Sequence, residues 1–271
     1  MELITSVNNQ RVKEIANLKQ KKYRSESGLF FAEGLRAVQE AVEFAEITEL
    51  FFTAEEKDKL DEIEILKTAK EKGARLYQAD AKVMDKLSDT KTPQGVLAVI
   101  RIPKQSLQNL RPGTASDNNA PVIILDRIQD PGNLGTIIRT ADAVGALGII
   151  LLEGCVDAYS PKVVRASMGS LFHLTVVQDV FPEEALTWCY RHGYEPAAAV
   201  MQGASNLYKS DISKKMAFIF GNEANGVSEE LQVAAETRLF IPMAGQAESM
   251  NVAMAAGIVL FEGLRQRKFI R

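Results

Sequence analysis

The chain has 271 residues, of which 46% are hydrophobic and 25% are charged, and its formal net charge is −3. This length suggests about two domains of an ordinary globular protein. The negative charge excludes a uniformly basic nucleic-acid coat, and two histidines and two cysteines give poor support for a zinc site or a histidine-based triad. No segment resembles a signal peptide or a bilayer span, so we expect a cytoplasmic protein with neither a membrane partner nor a metal.

The first half of the chain predicts a compact α/β domain over residues 1–103. The predicted strands are Leu29–Ala32, Glu49–Thr53, Arg75–Gln78 and Gly95–Ile100, and the predicted helices are Leu35–Phe44 and a charged one that ends near Lys72. The stretch that follows is rich in Pro, Gly, Ser, Asn and Asp and has no apolar period, which is typical of a linker. We therefore predict a linker over residues 104–119.

A basic arm lies within the first domain. It contains one acid, Glu14, and six basic residues: Arg11, Lys13, Lys19, Lys21, Lys22 and Arg24. A local basic segment on an acidic chain can follow an RNA phosphate backbone. The simpler interpretation is a solvated helix face, so RNA contact by these six residues is a hypothesis.

The second half, residues 120–271, alternates strands and helices more regularly. The predicted strands are Val122–Leu125, Gly148–Leu152, Phe172–Val177, Ala197–Val200, Ala217–Phe220 and Arg238–Ile241. The predicted helices are Leu134–Val144, one that opens at Ser160-Pro161, Pro182–Arg191, Ser228–Ala235 and Asn251–Arg267. Continuous apolar strands that alternate with helices indicate a mostly parallel sheet with helices on both faces.

Three strand ends of this half carry unusual polar loops. DRIQDPGNLGTIIRTA follows the first strand, GNEANGVS follows the fifth, and IPMAGQAESMNVAMAAG begins at the end of the sixth. Ligands of open parallel sheets bind at the carboxyl ends of the strands. We therefore expect the three loops to form one site.

Taken singly, each loop also has a purely structural interpretation. Asn133 is a plausible helix N-cap, Arg139 a surface charge and Met250 a core residue. Together the loops supply amide donors, one acid, one guanidinium and small polar side chains, but neither a histidine base nor a metal cluster. Such a set suits a reaction whose electrophile arrives with a cofactor, while the protein positions the reactants.

These motifs resemble those of the SpoU/TrmH family of RNA 2′-O-ribose methyltransferases, within the SPOUT class. The matching segments are Asn133-Leu134-Gly135 to Arg139-Thr140-Ala141, Gly221-Asn222-Glu223 with Gly226, Ile241-Pro242-Met243, and Glu248-Ser249-Met250-Asn251-Val252, where Met250 replaces the more usual Leu. The resemblance covers residues 120–271. More weakly, the first half resembles the L30e-like substrate-binding domain of rRNA-directed members through Ser6-Val7-Asn8-Asn9, Glu33-Gly34-Leu35-Arg36 and Thr92-Pro93-Gln94-Gly95-Val96.

The resemblance implies a C-terminal trefoil knot, a homodimer and the cofactor S-adenosylmethionine. By resemblance the cofactor contacts are Gly221, Ile241, Met250, Met243 and Gly203, and the catalytic residues are Arg139, Asn133, Glu223, Ser249 and Asn251. Arg139 activates the ribose hydroxyl or its phosphate. We prefer a cationic role for it, because guanidinium is effectively always protonated in proteins. The resemblance further implies that Asn133 and Glu223 orient Arg139, while Ser249 and Asn251 hold the target ribose.

The implied function is methyl transfer from S-adenosylmethionine to a ribose 2′-hydroxyl of RNA, with 23S ribosomal RNA as the favoured substrate. Three alternatives stay open: a non-catalytic RNA-binding or ribosome-assembly factor, a tRNA 2′-O-methyltransferase, and a base methyltransferase of the SPOUT class. The sequence identifies neither the modified nucleotide nor whether the role is housekeeping or antibiotic resistance.

Overall fold

The computed structural model describes residues 1–113, 117–201, 204–246 and 249–269. The chain divides into two compact units. The first unit is Met1–Lys104 with Tyr159–His173, and the second is Gln105–Ala158 with Leu174–Arg271. The predicted domain limits stay a prediction, whereas the predicted α/β class is confirmed in both units.

The first unit contains a mixed sheet with the strand order β1-β4-β3-β5-β2. Its strands are β1 (Glu2–Ile4), β2 (Leu29–Glu33), β3 (Ile47–Phe52), β4 (Arg75–Ala79) and β5 (Val96–Arg101). Its first helices are α1 (Gln10–Asn17), α2 (Lys21–Ser27), α3 (Leu35–Phe44), α4 (Ala54–Glu62), α5 (Ile65–Glu71) and α6 (Ala81–Leu87). β5 pairs antiparallel with β2 and β3, and β4 pairs parallel with β1 and β3. The four predicted strands and α3 are therefore confirmed.

The prediction of one charged helix that ends near Lys72 is wrong, because two helices occupy this stretch. Glu64 separates them with a φ of 56°, in the left-handed region that interrupts a right-handed helix. The interruption lets Ile65 and Leu66 turn inward, where both are buried. Burial of these apolar side chains favours the break over a continuous helix.

The second half of the chain contains a sheet whose neighbouring strands are all parallel, in the order β10-β12-β9-β11-β6-β7-β8. Its strands are β6 (Val122–Asp126), β7 (Gly148–Leu152), β8 (Thr175–Val180), β9 (Glu195–Ala199), β10 (Ser205–Asn206), β11 (Met216–Gly221) and β12 (Thr237–Phe240). The helices are α7 (Pro131–Ala143), α8 (Pro161–Ala166), α9 (Pro182–His192), α10 (Glu229–Ala234) and α11 (Val252–Phe269).

Every residue of β6, β7 and β11 is buried, so both faces of this sheet are covered, as the continuous apolar runs predict. In the parallel pair β6–β11, Asp126 lies in register with Gly221. The loops that leave these two strands therefore start side by side at the carboxyl edge of the sheet. No helix among the described residues is long and apolar enough to cross a membrane.

The segment predicted as a linker is packed against the second unit at its beginning. The indole Nε1 of Trp188 donates a hydrogen bond of 3.0 Å to the Leu107 carbonyl. The backbone N–H of Val176 donates to Gln105 Oε1 at 2.6 Å, and Leu110 is buried in the core. Residues 105–110 thus belong to the fold of the second unit.

The segment Tyr159–His173, which contains α8, packs with the first unit although it follows β7 in the chain. The rings of Tyr159 and Phe172 lie 4.9 and 6.3 Å from the ring of Phe30. Phe172 belongs to a short 3₁₀ turn, so the strand predicted from Phe172 begins only at Thr175. Removal of residues 1–103 would leave the segment Tyr159–His173 without its packing partners.

Candidate active site

Asp126 ends β6 and holds the beginning of the first polar loop and the end of the second. Its carboxylate is buried and accepts hydrogen bonds from the Ser228 backbone N–H at 2.7 Å and from Arg127 Nε at 2.8 Å. Asp126 lies outside the residues predicted for the site. The available signal was an acid placed directly after an apolar strand, where a charge needs internal partners.

The N-cap of α7 is Asp130, and the prediction of Asn133 as the cap is wrong. Asp130 Oδ1 accepts a hydrogen bond from the Asn133 backbone N–H at 2.8 Å, and Pro131 occupies the first helical position. An acid before a proline is a favourable helix start. Capping by Asp130 leaves the Asn133 side chain available for other contacts.

The three predicted loops meet through a chain of side-chain hydrogen bonds. Asn133 Nδ2 donates to Glu223 Oε1 at 3.0 Å, and Asn251 Nδ2 donates to Asn133 Oδ1 at 2.9 Å. These contacts join residues separated by 90 and 118 positions in the sequence. We call these three side chains the amide–carboxylate cluster.

Glu223 is the charged member of this cluster. Burial acts to raise the pKa of its carboxyl group, but hydrogen bonds from Asn133 and from backbone N–H groups outweigh burial and leave the pKa lowered. Two of these donors are the backbone N–H groups of Asp130 at 3.3 Å and Gln129 at 3.4 Å. Glu223 is therefore a carboxylate at neutral pH, and it accepts hydrogen bonds rather than donating a proton.

Asn251 caps α11 and belongs to the cluster at once. Its Oδ1 accepts the backbone N–H groups of Ala253 at 2.9 Å and Met254 at 3.3 Å. Its Nδ2 is the donor to Asn133, so the structural and the site interpretations both apply. Ser249, close by in the chain, is exposed.

Close backbone packing explains the glycine that starts the second loop. A Cβ atom on Gly221 would lie 2.0 Å from the carbonyl carbon of Gly226, so no other residue fits there. Asn222 fixes the turn between them, because its Nδ2 donates to the Arg127 carbonyl at 2.8 Å and its Oδ1 accepts the Ala224 N–H at 2.9 Å. This loop is thereby tied to the loop after β6.

The structure does not bring Arg139 into the amide–carboxylate cluster. It lies six residues after Asn133 on α7, which is about 240° around the helix. Its side chain is exposed and makes no ion pair with any residue that the structure describes. Within the described ranges, Arg139 is thus an unpaired cation on the exposed side of α7.

Of the residues expected to contact the cofactor, Gly221 ends β11, and Ile241, Met243 and Met250 follow β12. Gly221 is buried, Ile241 and Met250 are half-buried, and Met243 is 40% exposed. Gly203, like Glu248 of the third motif, lies outside the described residues. β9 separates β11 from β12, so the two strand ends are about 10 Å apart. Among the described residues, no group of His, Cys, Asp and Glu side chains is arranged to hold a metal ion.

Two arginines of the basic arm are part of the fold of the first unit. Arg11 Nη2 lies 2.6 Å from Glu49 Oε1, and the Glu49 side chain is fully buried. Arg24 is itself buried and donates from Nη1 to the carbonyls of Leu18 at 2.7 Å and Lys19 at 3.0 Å. Their local structural roles are therefore clear.

The lysines of the arm are more accessible. Lys13, Lys21 and Lys22 are exposed, and Lys22 Nζ lies 3.9 Å from Glu26 Oε1 and 5.8 Å from the centre of the Tyr23 ring. Lys19 is half-buried and donates to the Lys86 carbonyl at 3.0 Å. RNA contact by the six basic residues, like the catalytic and cofactor roles above, stays a prediction.

Comparison with known proteins matches two family models to the chain. The SpoU rRNA Methylase family model covers residues 120–261, and the MRM3-like substrate binding domain covers residues 9–98. The first range contains the amide–carboxylate cluster, and the second contains α1 and α2 of the basic arm.

Individual relatives match over nearly the whole chain. The 23S rRNA (guanosine(2553)-2′-O)-methyltransferase RlmP of Bacillus subtilis is 33% identical over 96% of this chain and 98% of its own. An AdoMet-bound rRNA methyltransferase from Sinorhizobium meliloti superposes with a TM-score of 0.87 at 34% identity and covers 99% of this chain and 98% of its own. AviRb from Streptomyces viridochromogenes, in complex with AdoMet, gives 0.85 at 29% identity, over 97% and 100% of the two chains. The chain therefore belongs to the SpoU rRNA methylase family.

Proposed function

We propose that this protein transfers a methyl group from S-adenosylmethionine to a ribose 2′-hydroxyl of 23S ribosomal RNA, in the cytoplasm. The observation that carries the proposal is the amide–carboxylate cluster, in which all three motifs of the methyltransferase family contribute one side chain. RlmP, whose name gives this reaction and this RNA, aligns along almost the entire chain.

The residues at the ends of β11 and β12 fit S-adenosylmethionine. Ile241, Met243 and Met250 offer apolar side chains to the flat adenine ring, and the adjoining loop backbones offer hydrogen bonds to its polar edge. We assign the cofactor to these residues with Gly221 and Gly203. When bound, the cofactor supplies a methyl group on a positively charged sulfur.

The cluster contributes order rather than acid–base chemistry. The ionised Glu223 holds the Asn133 amide, and Asn133 in turn holds Asn251, so the polar groups are fixed before the substrate binds. Fixed groups lower the entropic cost of aligning a weak nucleophile with its electrophile. Asn251 and the exposed Ser249 hold the ribose in this proposal.

Arg139 supplies positive charge to the reaction. Its exposed guanidinium forms no ion pair with a carboxylate among the residues that the structure describes. It can therefore bind the phosphate beside the target ribose or stabilise the developing alkoxide. A guanidinium stays protonated at neutral pH, which is why we assign electrostatic stabilisation and not proton abstraction.

The first unit binds the RNA in this proposal, with residues 1–103 as the L30e-like substrate-binding domain, 104–119 as the connection and 120–271 as the catalytic domain. Lys13, Lys21 and Lys22 present exposed ammonium groups on α1 and α2, with Lys19 beside them. Arg11 and Arg24 stabilise the arm through their contacts with Glu49 and with backbone carbonyls. The match of residues 9–98 to a substrate-binding family supports this assignment.

We also infer a homodimer that forms around α11. Met254 and Phe261 are 63% and 52% exposed, and a spacing of seven residues puts them on one side of this helix. Large exposed apolar side chains in a row mark an interaction surface. Light scattering at micromolar concentration should give twice the chain mass, whereas Met254→Glu with Phe261→Glu should give a monomer. A monomeric wild type would contradict the inference.

Radiolabelled methyl transfer tests the proposed function. Purified protein, incubated with S-adenosylmethionine and unmodified 23S rRNA, should label the RNA, and Arg139→Ala and Asn251→Ala should lose most of this activity. Arg191→Ala and Asn118→Ala replace exposed residues of the same types outside the site and serve as controls. Equal labelling by the site variants and their controls would remove the proposed site, and no cofactor binding by the wild type would favour a non-catalytic RNA-binding factor.

A further inference from the structure

A small cavity in the first unit is separate from the amide–carboxylate cluster. Its volume is about 130 Å³, and it opens beside the beginning of α3. Three segments form its wall: the junction of β2 with α3, the loop before β5, and α8 with the turn after it. The lining residues that matter here are Glu33, Arg36, Thr90, Thr92, Arg165 and Met168.

The carboxylates on the acidic side of this cavity already have partners within the protein. Arg165 Nη1 lies 3.1 Å from Glu33 Oε1 and 3.5 Å from Asp89 Oδ2. The other carboxylate oxygen of Glu33 accepts hydrogen bonds from the Ser88 hydroxyl and from the Asp89 backbone N–H at 3.2 Å. These contacts hold Glu33 in the wall, and the positive charge of Arg165 offsets part of the negative charge of the two acids.

Arg36 differs from Arg165 in having no such partner among the described residues. Its side chain is exposed, and it makes neither an ion pair nor a hydrogen bond with any residue within the described ranges. Lys91, between the lining residues Thr90 and Thr92, is exposed and equally unpaired within those ranges. Arg36 lines the cavity beside the Thr90 and Thr92 hydroxyl groups, and Lys91 lies between these two threonines in the chain. Such positive charge favours a ligand with a negative charge, and a phosphate group accepts hydrogen bonds from cations and from hydroxyl groups.

Met168 adds an apolar side chain to the wall of this polar cavity. The side chain is 39% exposed, and its φ of 53° places the backbone in the left-handed region. Gly169 follows with a φ of 98°, and a Cβ atom there would lie 2.6 Å from Glu40 Cγ, so close packing on α3 holds the turn. Strained backbone that is held in this way is typical of functional sites. An exposed thioether suits the flat face of a nucleobase.

The size of the cavity limits what it can hold. Pockets that enclose a whole small molecule usually measure about 300–1,000 Å³, which is well above the volume found here. The cavity therefore suits one part of a longer ligand. An unpaired nucleotide of RNA presents a flat base and a phosphate together, and single-stranded segments are the part of RNA that proteins read by such contacts.

We propose that this cavity holds one unpaired nucleotide of the substrate RNA, with the phosphate bound by Arg36 and Lys91 and the base in contact with Met168. The proposal rests on the proposed function, because it takes RNA to be the substrate. In this proposal the nucleotide is bound by residues from both family-matched ranges, since Arg36 lies in residues 9–98 and Met168 lies in residues 120–261.

Fluorescence anisotropy with the full-length protein tests the cavity. The probe is a short fluorescein-labelled single-stranded RNA of mixed sequence, and the same strand annealed to its complement is the comparison. Arg36→Ala and Met168→Gly should each weaken single-strand binding about tenfold, which is the size expected when one base or one phosphate is no longer bound. Their effect on the duplex should be smaller, and Arg191→Ala should bind like the wild type.

Met168→Gly carries an internal control for folding. Glycine adopts a positive φ without strain, so this variant should melt at a temperature equal to or above that of the wild type while it binds RNA less tightly. A lower melting temperature with unchanged RNA affinity would show that Met168 is a packing residue and would overturn its assigned role.

The result distinguishes this proposal from the proposed function. If the wild type methylates ribose while Arg36→Ala binds single-stranded RNA as tightly as Arg191→Ala, the cavity proposal is overturned and the methyltransferase stands. If the variants lose single-strand binding while the wild type transfers no methyl group, the cavity proposal stands and the proposed function is overturned.

Discussion

The amide–carboxylate cluster and the basic arm show how differently two polar regions of one chain are used. In the cluster, Asn133, Glu223 and Asn251 come from distant parts of the sequence and bond to one another. In the arm, by contrast, Arg11 and Arg24 bond to partners that stabilise their own unit. A motif predicts a set of groups that act together, whereas a count of charges does not reveal which charges are already paired.

Replacing the charged member of the cluster should have the largest effect. Glu223→Ala removes the acceptor that holds Asn133, so we expect methyl transfer to fall by about a hundredfold to a thousandfold, as when positioned groups are removed from other enzymes. The measurement is kcat/KM with 23S rRNA. Glu229→Ala, which replaces an exposed acid at the start of α10, is the control. Equal rates in the two variants would mean that the cluster has no part in catalysis.

Replacing Arg11 in the basic arm should instead lower the stability of the folded protein. Among the described residues, Arg11→Ala leaves the fully buried Glu49 with the exposed Arg75, 3.2 Å away, as its remaining cation. We therefore expect the free energy of unfolding in urea to fall by about 2 to 3 kcal/mol. Lys13→Ala, on the exposed face of the same helix, should change stability by less than about 0.5 kcal/mol. The double variant Arg11→Met with Glu49→Leu should regain most of the stability. An Arg11→Ala variant as stable as Lys13→Ala would restore the interpretation of a merely solvated helix face.

The exposed lysines of the arm should affect RNA affinity and not stability. The triple variant Lys13→Ala, Lys21→Ala, Lys22→Ala should weaken RNA binding, and the slope of log K against log salt should fall by about 0.7 to 0.9 for each phosphate that the protein no longer neutralises. A triple alanine variant at Lys57, Lys59 and Lys67 is the matched control, because these lysines pair with Asp61, Glu56 and Glu64. An unchanged salt slope in the arm variant would exclude RNA binding by these lysines.

The lowered pKa of Glu223 predicts a small pH effect with a definite sign. The folded carboxyl group has a lower pKa than the unfolded one, so its contribution to stability is complete above the unfolded value of about 4.3 and is lost as the pH falls through the folded value. The stability difference between wild type and Glu223→Gln should therefore shrink as the solution is acidified through this range. A difference that grows on acidification would contradict the direction of the shift.

The two thiol groups should react only slowly with an alkylating reagent. Burial raises the pKa of Cys155 to about 11 and that of Cys189 to about 12. Because the thiolate is the reacting form, iodoacetamide at about pH 8 should alkylate the native protein far more slowly than the urea-unfolded protein. Mass spectrometry of the intact chain measures both rates. Fast alkylation of the native protein would contradict the burial of these residues.

Elements with a clear apolar pattern and strong boundaries were predictable from the sequence. Both α3 and β7 have the predicted limits. The break at Glu64 was not, because a positive φ at a residue other than glycine leaves no compositional signal. The packing of Tyr159–His173 with the first unit was equally hidden, since it depends on contacts such as Phe30–Tyr159 between distant parts of the chain.

The site was predictable in part for the same reason. The three loops could be placed at one sheet edge because each follows a predicted strand of a parallel sheet, and the motifs named Asn133, Glu223 and Asn251. Which residue caps α7 could not be decided, because Asp130 and Asn133 are both good cap residues and only the geometry selects one. The buried role of Asp126 depends on the register of β6 with β11, which no short motif encodes.

The most direct test of the central claim is the position of the methyl group that this protein adds. Unmodified 23S rRNA is treated with the protein and S-adenosylmethionine, digested to nucleosides and examined by mass spectrometry with fragmentation. We predict one nucleoside whose mass is raised by a methyl group and whose released base has an unmodified mass, and loss of this product with Asn251→Ala. A methyl group that remains on the released base would contradict transfer to the ribose.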